Sequence, residues 1–156
     1  MHFLTPLTGP ALRDAGIPQP WGYGLADKVR FGEIDALQHV NNAAYLRWFE
    51  NLRINYFRDY GVHAYGGSER PPMNVLKSVT LDFLAEVKLG DSYIMTARTS
   101  EMRTSSFKME YGVFVEGRLT TTGTAVIVTL TDDHIKQPLP DVLRDTFASR
   151  DGTTQL

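Results

Sequence analysis

The chain has 156 residues, of which 42% are hydrophobic and 22% charged, an ordinary composition for one globular domain. Its 16 Lys and Arg against 18 Asp and Glu give a net charge of -2, which excludes a broad cationic surface for nucleic acids or anionic membranes. Cysteine is absent, which excludes a disulfide framework, a thiolate metal site and a cysteine nucleophile. The N-terminus does not resemble a secretory signal and no transmembrane apolar run occurs, so we expect a cytoplasmic protein.

Residues 1–26 form a segment rich in proline and glycine, for which we expect an ordered or half-ordered arm with little regular structure. Gly22 and Gly24 begin a dinucleotide-binding pattern, but Asp27 occupies the position of its third glycine, which argues against a Rossmann site. Residues 27–156 are predicted to form a single domain. We expect it to begin with a strand that contains Val29 and Phe31, because apolar residues alternate there.

One long amphipathic helix is predicted after a turn-like segment that ends near Val40. Asn41 or Asn42 can cap its N-terminus, and Gly61 lies where a left-handed residue would end it. We expect Glu50 to form a surface ion pair with Arg47 or Arg53, three residues away. The apolar residues recur at helical spacing and are assigned to the core: Tyr45, Trp48, Phe49, Leu52, Tyr56 and Tyr60.

Strands separated by turns are predicted for most of the remaining chain. Because consecutive strands joined by short turns pair antiparallel, we expect an α+β fold with the helix packed on one face of the sheet. Apolar residues on both faces of the last strand, from Ala125 to Val128, indicate that a second subunit covers part of the sheet. A short helix is predicted from Asp141 to Ala148. The predicted strands lie near Val75 to Phe83, Tyr93 to Ala97, Phe107 to Val115 and Leu119 to Leu130, with turns at Glu116-Gly117 and Asp132-Asp133.

Most patterns of catalytic residues are missing from this sequence. Gly66-Gly67-Ser68-Glu69 resembles a serine nucleophile elbow, but Arg70 replaces its closing glycine. No glycine loop is followed by Lys and Ser or Thr, which argues against nucleotide hydrolysis. The histidines lack the spacing of a metal site, so we predict no metal ion. They are His2, His39, His63 and His134.

The segment of residues 31–45 joins an acid, an imidazole and two amides to the start of the only long helix. It reads Phe-Gly-Glu-Ile-Asp-Ala-Leu-Gln-His-Val-Asn-Asn-Ala-Ala-Tyr. Unpaired N–H groups and the positive end of the helix dipole can bind an oxyanion that develops on a carbonyl. Asp35 is the only acid between Ile34 and the helix, and it can act as a base or as a nucleophile.

This segment resembles the 4-hydroxybenzoyl-CoA thioesterase-like branch of the hot-dog superfamily. The resemblance implies a hot-dog fold, in which a five- or six-stranded antiparallel sheet wraps around one long central helix. It also implies hydrolysis of an acyl-CoA thioester, with coenzyme A as part of the substrate and no separate cofactor. Active sites shared within a homodimer are implied, and we expect a dimer of dimers. The motif comprises Phe31, Asp35, His39-Val40-Asn41-Asn42, Tyr45, Trp48-Phe49-Glu50 and Arg53, with looser similarity through Arg103 to Phe107 and Pro138 to Pro140.

The resemblance places the catalytic carboxylate on Asp35 and the backbone N–H that holds the thioester oxygen near Asn42. Asp35 has the alternative of bracing its own turn, and His39 either braces the loop or places the substrate. Asn41 and Asn42 either cap the helix or help to bind the substrate and its oxyanion. Ser105 and Ser106 either reach the acyl group or line a strand. Arg98, Arg103 and Lys108 either meet the phosphates of coenzyme A or are ordinary exposed cations.

Two classes of function remain open on this fold. The first is an acyl-CoA thioesterase, which the presence of Asp35 favours. The second is a non-catalytic module that binds or senses acyl thioesters. A hydratase is disfavoured because no histidine precedes the loop rich in proline and glycine that such enzymes carry. The sequence leaves the acyl group open, because chain-length preference depends on pocket depth across a subunit interface.

Overall fold

The computed structural model describes residues 1–62 and 72–156 of the chain. The fold is α+β, with a large antiparallel sheet and one long helix, as predicted for a hot-dog domain. The glycine-serine segment of residues 66–70 and His63 lie outside the described residues. The elements in chain order are β1 (Leu7–Thr8), α1 (Gly9–Asp14), β2 (Tyr23–Lys28), α2 (Asn42–Tyr60), β3 (Met73–Phe83), β4 (Ser92–Met102), β5 (Ser106–Val115), β6 (Arg118–Leu130), α3 (Asp141–Asp151) and β7 (Thr154–Gln155).

Local sequence signals define both ends of α2. The Asn41 side chain accepts a hydrogen bond from the Ala43 backbone N–H at 2.8 Å, which caps the N-terminus. Gly61 ends the helix in the left-handed conformation with φ of 76°, so the predicted boundaries are confirmed. Among the described residues, neither α2 nor any other helix is long and apolar enough to cross a bilayer.

The sheet has seven strands, and β3 lies at one edge of it. Its strand order is β1-β2-β4-β5-β6-β3, and β7 pairs with β4. All neighbours are antiparallel except the short pairing of β7 with β4, which no sequence pattern predicted. In the described part of the chain, β3 pairs only with β6, so the opposite edge of this 11-residue strand is unpaired.

The main core lies between α2 and the inner face of the sheet. Trp48 stacks on Tyr93 with ring centroids 4.0 Å apart, and Phe49 stacks on Tyr111 at 4.7 Å. The helix residues that we assigned to the core are therefore confirmed. Arg53 is also buried and donates a hydrogen bond to the Tyr111 hydroxyl at 3.1 Å. A surface ion pair between Glu50 and Arg53 is therefore wrong, because Arg53 points into the core.

Helix α3 is anchored to the core by the buried carboxylate of Asp151. This carboxylate accepts hydrogen bonds from the hydroxyls of Tyr56 at 2.6 Å and Tyr60 at 2.7 Å, and from the Thr99 backbone N–H at 2.7 Å. Burial raises the pKa of Asp151, and these donors oppose that rise. The predicted C-terminal helix is confirmed, and it extends three residues beyond Ala148.

The N-terminal arm has more regular structure than its prolines and glycines predicted. It forms β1 and α1 and contributes four of the six residues of β2, so the expectation of little regular structure is wrong. The arm packs on the outer face of the sheet, where Leu12 and Ile17 join Ile94 and Phe114 in a second apolar cluster. Burial of these side chains stabilises an ordered arm despite its poor local propensity.

The predicted strand with Val29 and Phe31 is also wrong. Strand β2 ends at Lys28, and Phe31 begins a 3-10 turn that ends at Glu33, with its side chain 79% exposed. The Arg30 N–H donates to the Glu33 carboxylate at 2.9 Å, and the Glu33 N–H donates to the Arg30 carbonyl at 3.0 Å. This reciprocal cap closes a local turn in place of a continued strand.

Candidate active site

Asp35 lies in a tight loop that leads directly into α2. Its Oδ1 accepts hydrogen bonds from the backbone N–H groups of Leu37 at 2.9 Å and His39 at 3.4 Å. Its own N–H donates to the His39 carbonyl at 2.8 Å. Within the described residues, Oδ2 accepts no hydrogen bond. The half-buried carboxylate therefore braces the loop through one oxygen while the other remains available to react.

The first turn of α2 provides an unpaired backbone donor beside this loop. Asn41 is the cap, and its side chain and carbonyl accept from the N–H groups of Ala43 and Ala44. The N–H of Asn42, the first helical residue, has no acceptor in the part of the chain that the structure describes. A free N–H at the positive end of a helix dipole suits a developing negative charge on oxygen.

A cleft of about 450 Å³ brings Asp35 and Asn42 together with the segment that follows β3. Such a volume lies within the range of small-molecule sites. The cleft is apolar on the side of Phe83, Leu84 and Val87, and the other lining residues include Leu37, His39, Val40, Tyr45, Ala85 and Glu86. Burial raises the pKa of the Tyr45 phenol, so this side chain remains neutral at physiological pH.

His39 and Glu86 lie side by side in the lining of this cleft. The His39 Nε2 pairs with the Glu86 Oε2, and the other Glu86 oxygen lies 3.3 Å from the Lys88 ammonium. Lys88, and to a smaller degree His39, lowers the pKa of Glu86. Sequence reasoning missed Glu86 and Leu84, because no local motif marks the segment after β3, and it predicted Phe83, the last residue of β3, only as part of a strand.

The start of the loop is held against α2 by Glu33. One Glu33 oxygen accepts from the Trp48 indole N–H at 2.9 Å, and the other accepts from the Arg30 backbone. The hydrogen bond between Trp48 and Glu33 thus connects the second turn of the helix to the turn before Asp35, which gives the spacing of these two residues in the sequence a structural reason. The acid of the motif that enters the cleft is Asp35, and Glu33 is used for anchoring.

Ser105 and Ser106 do not line the cleft that contains Asp35. Ser105 precedes β5, and its carbonyl accepts from the Thr129 N–H at 2.9 Å. Ser106 lines a separate cleft of about 370 Å³, which we call the basic cleft. Arg98 lies elsewhere and pairs with Glu110 at 2.8 Å. The basic cleft contains Lys77, Arg103, Lys108 and Lys136, together with Glu101, Phe107 and Val126.

The histidines and carboxylates that the structure describes do not cluster. In residues 1–62 and 72–156, no group of three or more His, Asp or Glu side chains comes close enough to hold a metal ion. Of the histidines, His39 enters the cleft of Asp35, whereas His134 lies in the turn after β6.

A hot-dog sheet around one helix, with an acid loop at the helix N-terminus, defines a thioesterase-type domain. Residues 29–147 match the Thioesterase-like superfamily, and the chain belongs to this family. A thioesterase superfamily structure from Jannaschia sp. CCS1 is 42% identical, with a TM-score of 0.91 over 98% of both chains.

Two further relatives extend the comparison. A thioesterase from Thermus thermophilus, solved with coenzyme A and Zn, is 30% identical with a TM-score of 0.69, over 83% of this chain and 93% of that one. The protein YsmA of Bacillus subtilis strain 168 is 30% identical over 69% of this chain and 72% of its own length. The family predicted from residues 31–53 is therefore confirmed.

Proposed function

We propose that the chain hydrolyses an acyl-CoA thioester to the free acid and coenzyme A, with Asp35 as the catalytic residue. The observation that carries this proposal is the joint presence of a carboxylate with one free oxygen and an unpaired helix N–H, at Asn42, in one cleft. Membership in a thioesterase family and the coenzyme A bound to the Thermus relative support the choice of substrate.

The Asn42 N–H binds the carbonyl oxygen and stabilises the negative charge that develops on it. The free oxygen of Asp35 then follows one of two routes. It removes a proton from water that attacks the carbonyl carbon, or it attacks that carbon itself and water cleaves the resulting anhydride. In both routes the C–S bond breaks and coenzyme A leaves as the thiolate. The apolar wall of Phe83, Leu84 and Val87 receives the acyl group.

A homodimer formed along β3 completes the cleft in this proposal. The edge of β3 is unpaired, and its apolar side chains Leu76, Val79 and Phe83 are 41%, 36% and 47% exposed. Such an edge favours pairing with a second copy. Phe83 belongs both to this edge and to the cleft, so a partner on β3 lies next to the reacting groups. The larger dimer of dimers stays a prediction, as does a cytoplasmic location.

The basic cleft is proposed to bind the phosphates of coenzyme A. Four cations and the Ser106 hydroxyl meet there, while Glu101 lies 3.9 Å from Lys108. Phosphate groups favour such a concentration of positive charge. Ser106 therefore belongs, in this proposal, to recognition of the nucleotide end and not to the acyl cleft, whereas Ser105 lines neither cleft.

The Asp35→Asn variant tests the function, because asparagine retains an oxygen that accepts the same two loop hydrogen bonds. We expect kcat to fall by roughly 10² or more while KM changes little, since the amide is neither a base nor a nucleophile. Hydrolysis is measured over short, long and aromatic acyl-CoAs with a chelator present, because we predict no metal requirement.

Thermal unfolding of Asp35→Asn provides the control for folding. A normal melting midpoint with lost turnover supports catalysis by Asp35. Near-normal turnover in a folded variant would overturn the assignment and leave Asp35 as a turn brace. Wild-type protein that binds acyl-CoA without hydrolysing any member of the panel indicates the alternative, a non-catalytic binding or sensing module.

A further inference from the structure

We infer that Glu86 is a positioning residue that orients the His39 imidazole in the acyl-thioester cleft, an inference that rests on the proposed function. Glu86 and His39 both line the cleft that contains Asp35, on two neighbouring segments. Their side chains pair through His39 Nε2 and Glu86 Oε2. Glu86 belongs to a segment far along the chain from the acid loop.

The pair has little value for stability. The side chains of His39 and Glu86 are 38% and 46% exposed, and ion pairs at such exposure contribute little to folding. The two segments are already joined by their backbones, since the Val40 N–H donates to the Val87 carbonyl at 2.8 Å. The Glu86 carboxylate instead fixes the orientation of the His39 imidazole ring.

The orientation of the ring has a chemical consequence. A neutral imidazole that donates its Nε2 proton to Glu86 carries its lone pair on Nδ1. In the described residues, Nδ1 has no hydrogen-bond partner. Glu86 therefore leaves Nδ1 as an acceptor for the attacking water or for the amide N–H groups of the pantetheine arm. His39 in turn is tied to Asp35, because its backbone N–H donates to the Asp35 carboxylate.

A double-mutant cycle of Glu86 and His39 tests this inference. We expect Glu86→Ala to lower kcat about tenfold with little change in KM, because a misplaced group weakens the transition state. In the His39→Gln background the same substitution is expected to change the residual kcat by less than about twofold, since the residues act as one unit. Glu86→Gln restores part of the loss, because its amide oxygen still accepts the ring proton.

Lys88→Met is the matched control. It removes the other partner of Glu86 but leaves the Glu86 carboxylate ionised at neutral pH, so we expect kcat within about twofold of wild type. Equal losses from Glu86→Ala in both backgrounds would show that Glu86 does not act through His39. An unchanged kcat in Glu86→Ala would overturn the inference as well.

The nitrogen chemical shifts of the His39 ring, measured by NMR, provide a reading that needs no turnover. A ring that donates its Nε2 proton to Glu86 gives the signal of a protonated nitrogen at Nε2 and of an unprotonated one at Nδ1, and we expect Glu86→Ala to replace this signal with that of a mixture of tautomers. Absence of this signal from the wild type contradicts the pair. A protein that shows the signal but hydrolyses no acyl-CoA contradicts the proposed function and retains the orientation of His39.

Discussion

At the scale of single residues, the backbone N–H of Asn42 has a role that side-chain substitution cannot test. Proline removes this donor, and the first helical position tolerates proline. The preceding Asn41 has ψ of 139°, which is compatible with a following proline. We expect Asn42→Pro to lower kcat by about 10² to 10³, the range for loss of one oxyanion donor.

The matched control for this donor is Asn42→Ala, which retains the N–H and replaces only an exposed side chain. Its kcat is expected to stay within about threefold of wild type, since the side chain carries no proposed chemistry. Circular dichroism checks that both variants keep α2. Normal turnover by a folded Asn42→Pro protein would exclude this N–H as the oxyanion donor.

At the scale of elements, the basic cleft lies where the end of β4 and the start of β5 meet β6 and β3, and a comparison of two substrates tests its proposed role. We expect Lys108→Met with Lys136→Met to raise KM for an acyl-CoA by about threefold to tenfold, because exposed ionic contacts to phosphate are lost. KM for the matching N-acetylcysteamine thioester is expected to stay unchanged, because that substrate has no phosphates. Steady-state kinetics on both substrates measure the difference.

Arg118→Met is the control for total charge, because Arg118 is exposed at the opposite end of β6. It is expected to leave KM unchanged for both thioesters. A parallel rise in KM for the two substrates in the lysine variant would show that the basic cleft acts on something other than the nucleotide.

At the scale of the whole molecule, the unpaired β3 edge predicts the assembly. Light scattering is expected to give at least twice the 17.5 kDa chain mass for the wild type. We expect Val79→Lys to yield monomers with reduced kcat, because it places charge among the exposed apolar side chains of the edge. Thermal unfolding separates loss of assembly from loss of folding.

Ser78→Lys is the matched control for this edge. Ser78 neighbours Val79 and is also exposed, but it pairs with Val126 on the outer face, whereas Val79 pairs with the inward-facing Ala125. The assembly of Ser78→Lys is therefore expected to remain that of the wild type. A wild-type monomer with full activity would contradict both the dimer and a cleft shared between subunits.

Elements whose signals are local could be predicted from the amino-acid sequence. The apolar stripe from Tyr45 to Tyr60, with a cap at Asn41 and a left-handed Gly61, defines α2 because each signal acts within a few residues. Alternation defines β4, β5 and β6 for the same reason. The acid loop could be recognised as well, since Asp35 and the helix start are adjacent in the chain.

Contacts between segments that are distant in the chain could not be predicted in this way. The arm is ordered because Leu12 and Ile17 pack against an apolar patch on the sheet. The residues of that patch lie far along the chain, so the sequence of the arm alone does not predict the contact. Glu86 enters the cleft and Ser106 lies outside it because strand pairing and helix packing fix their positions. Contacts between residues far apart depend on the register and packing of the whole sheet, which no short sequence pattern encodes.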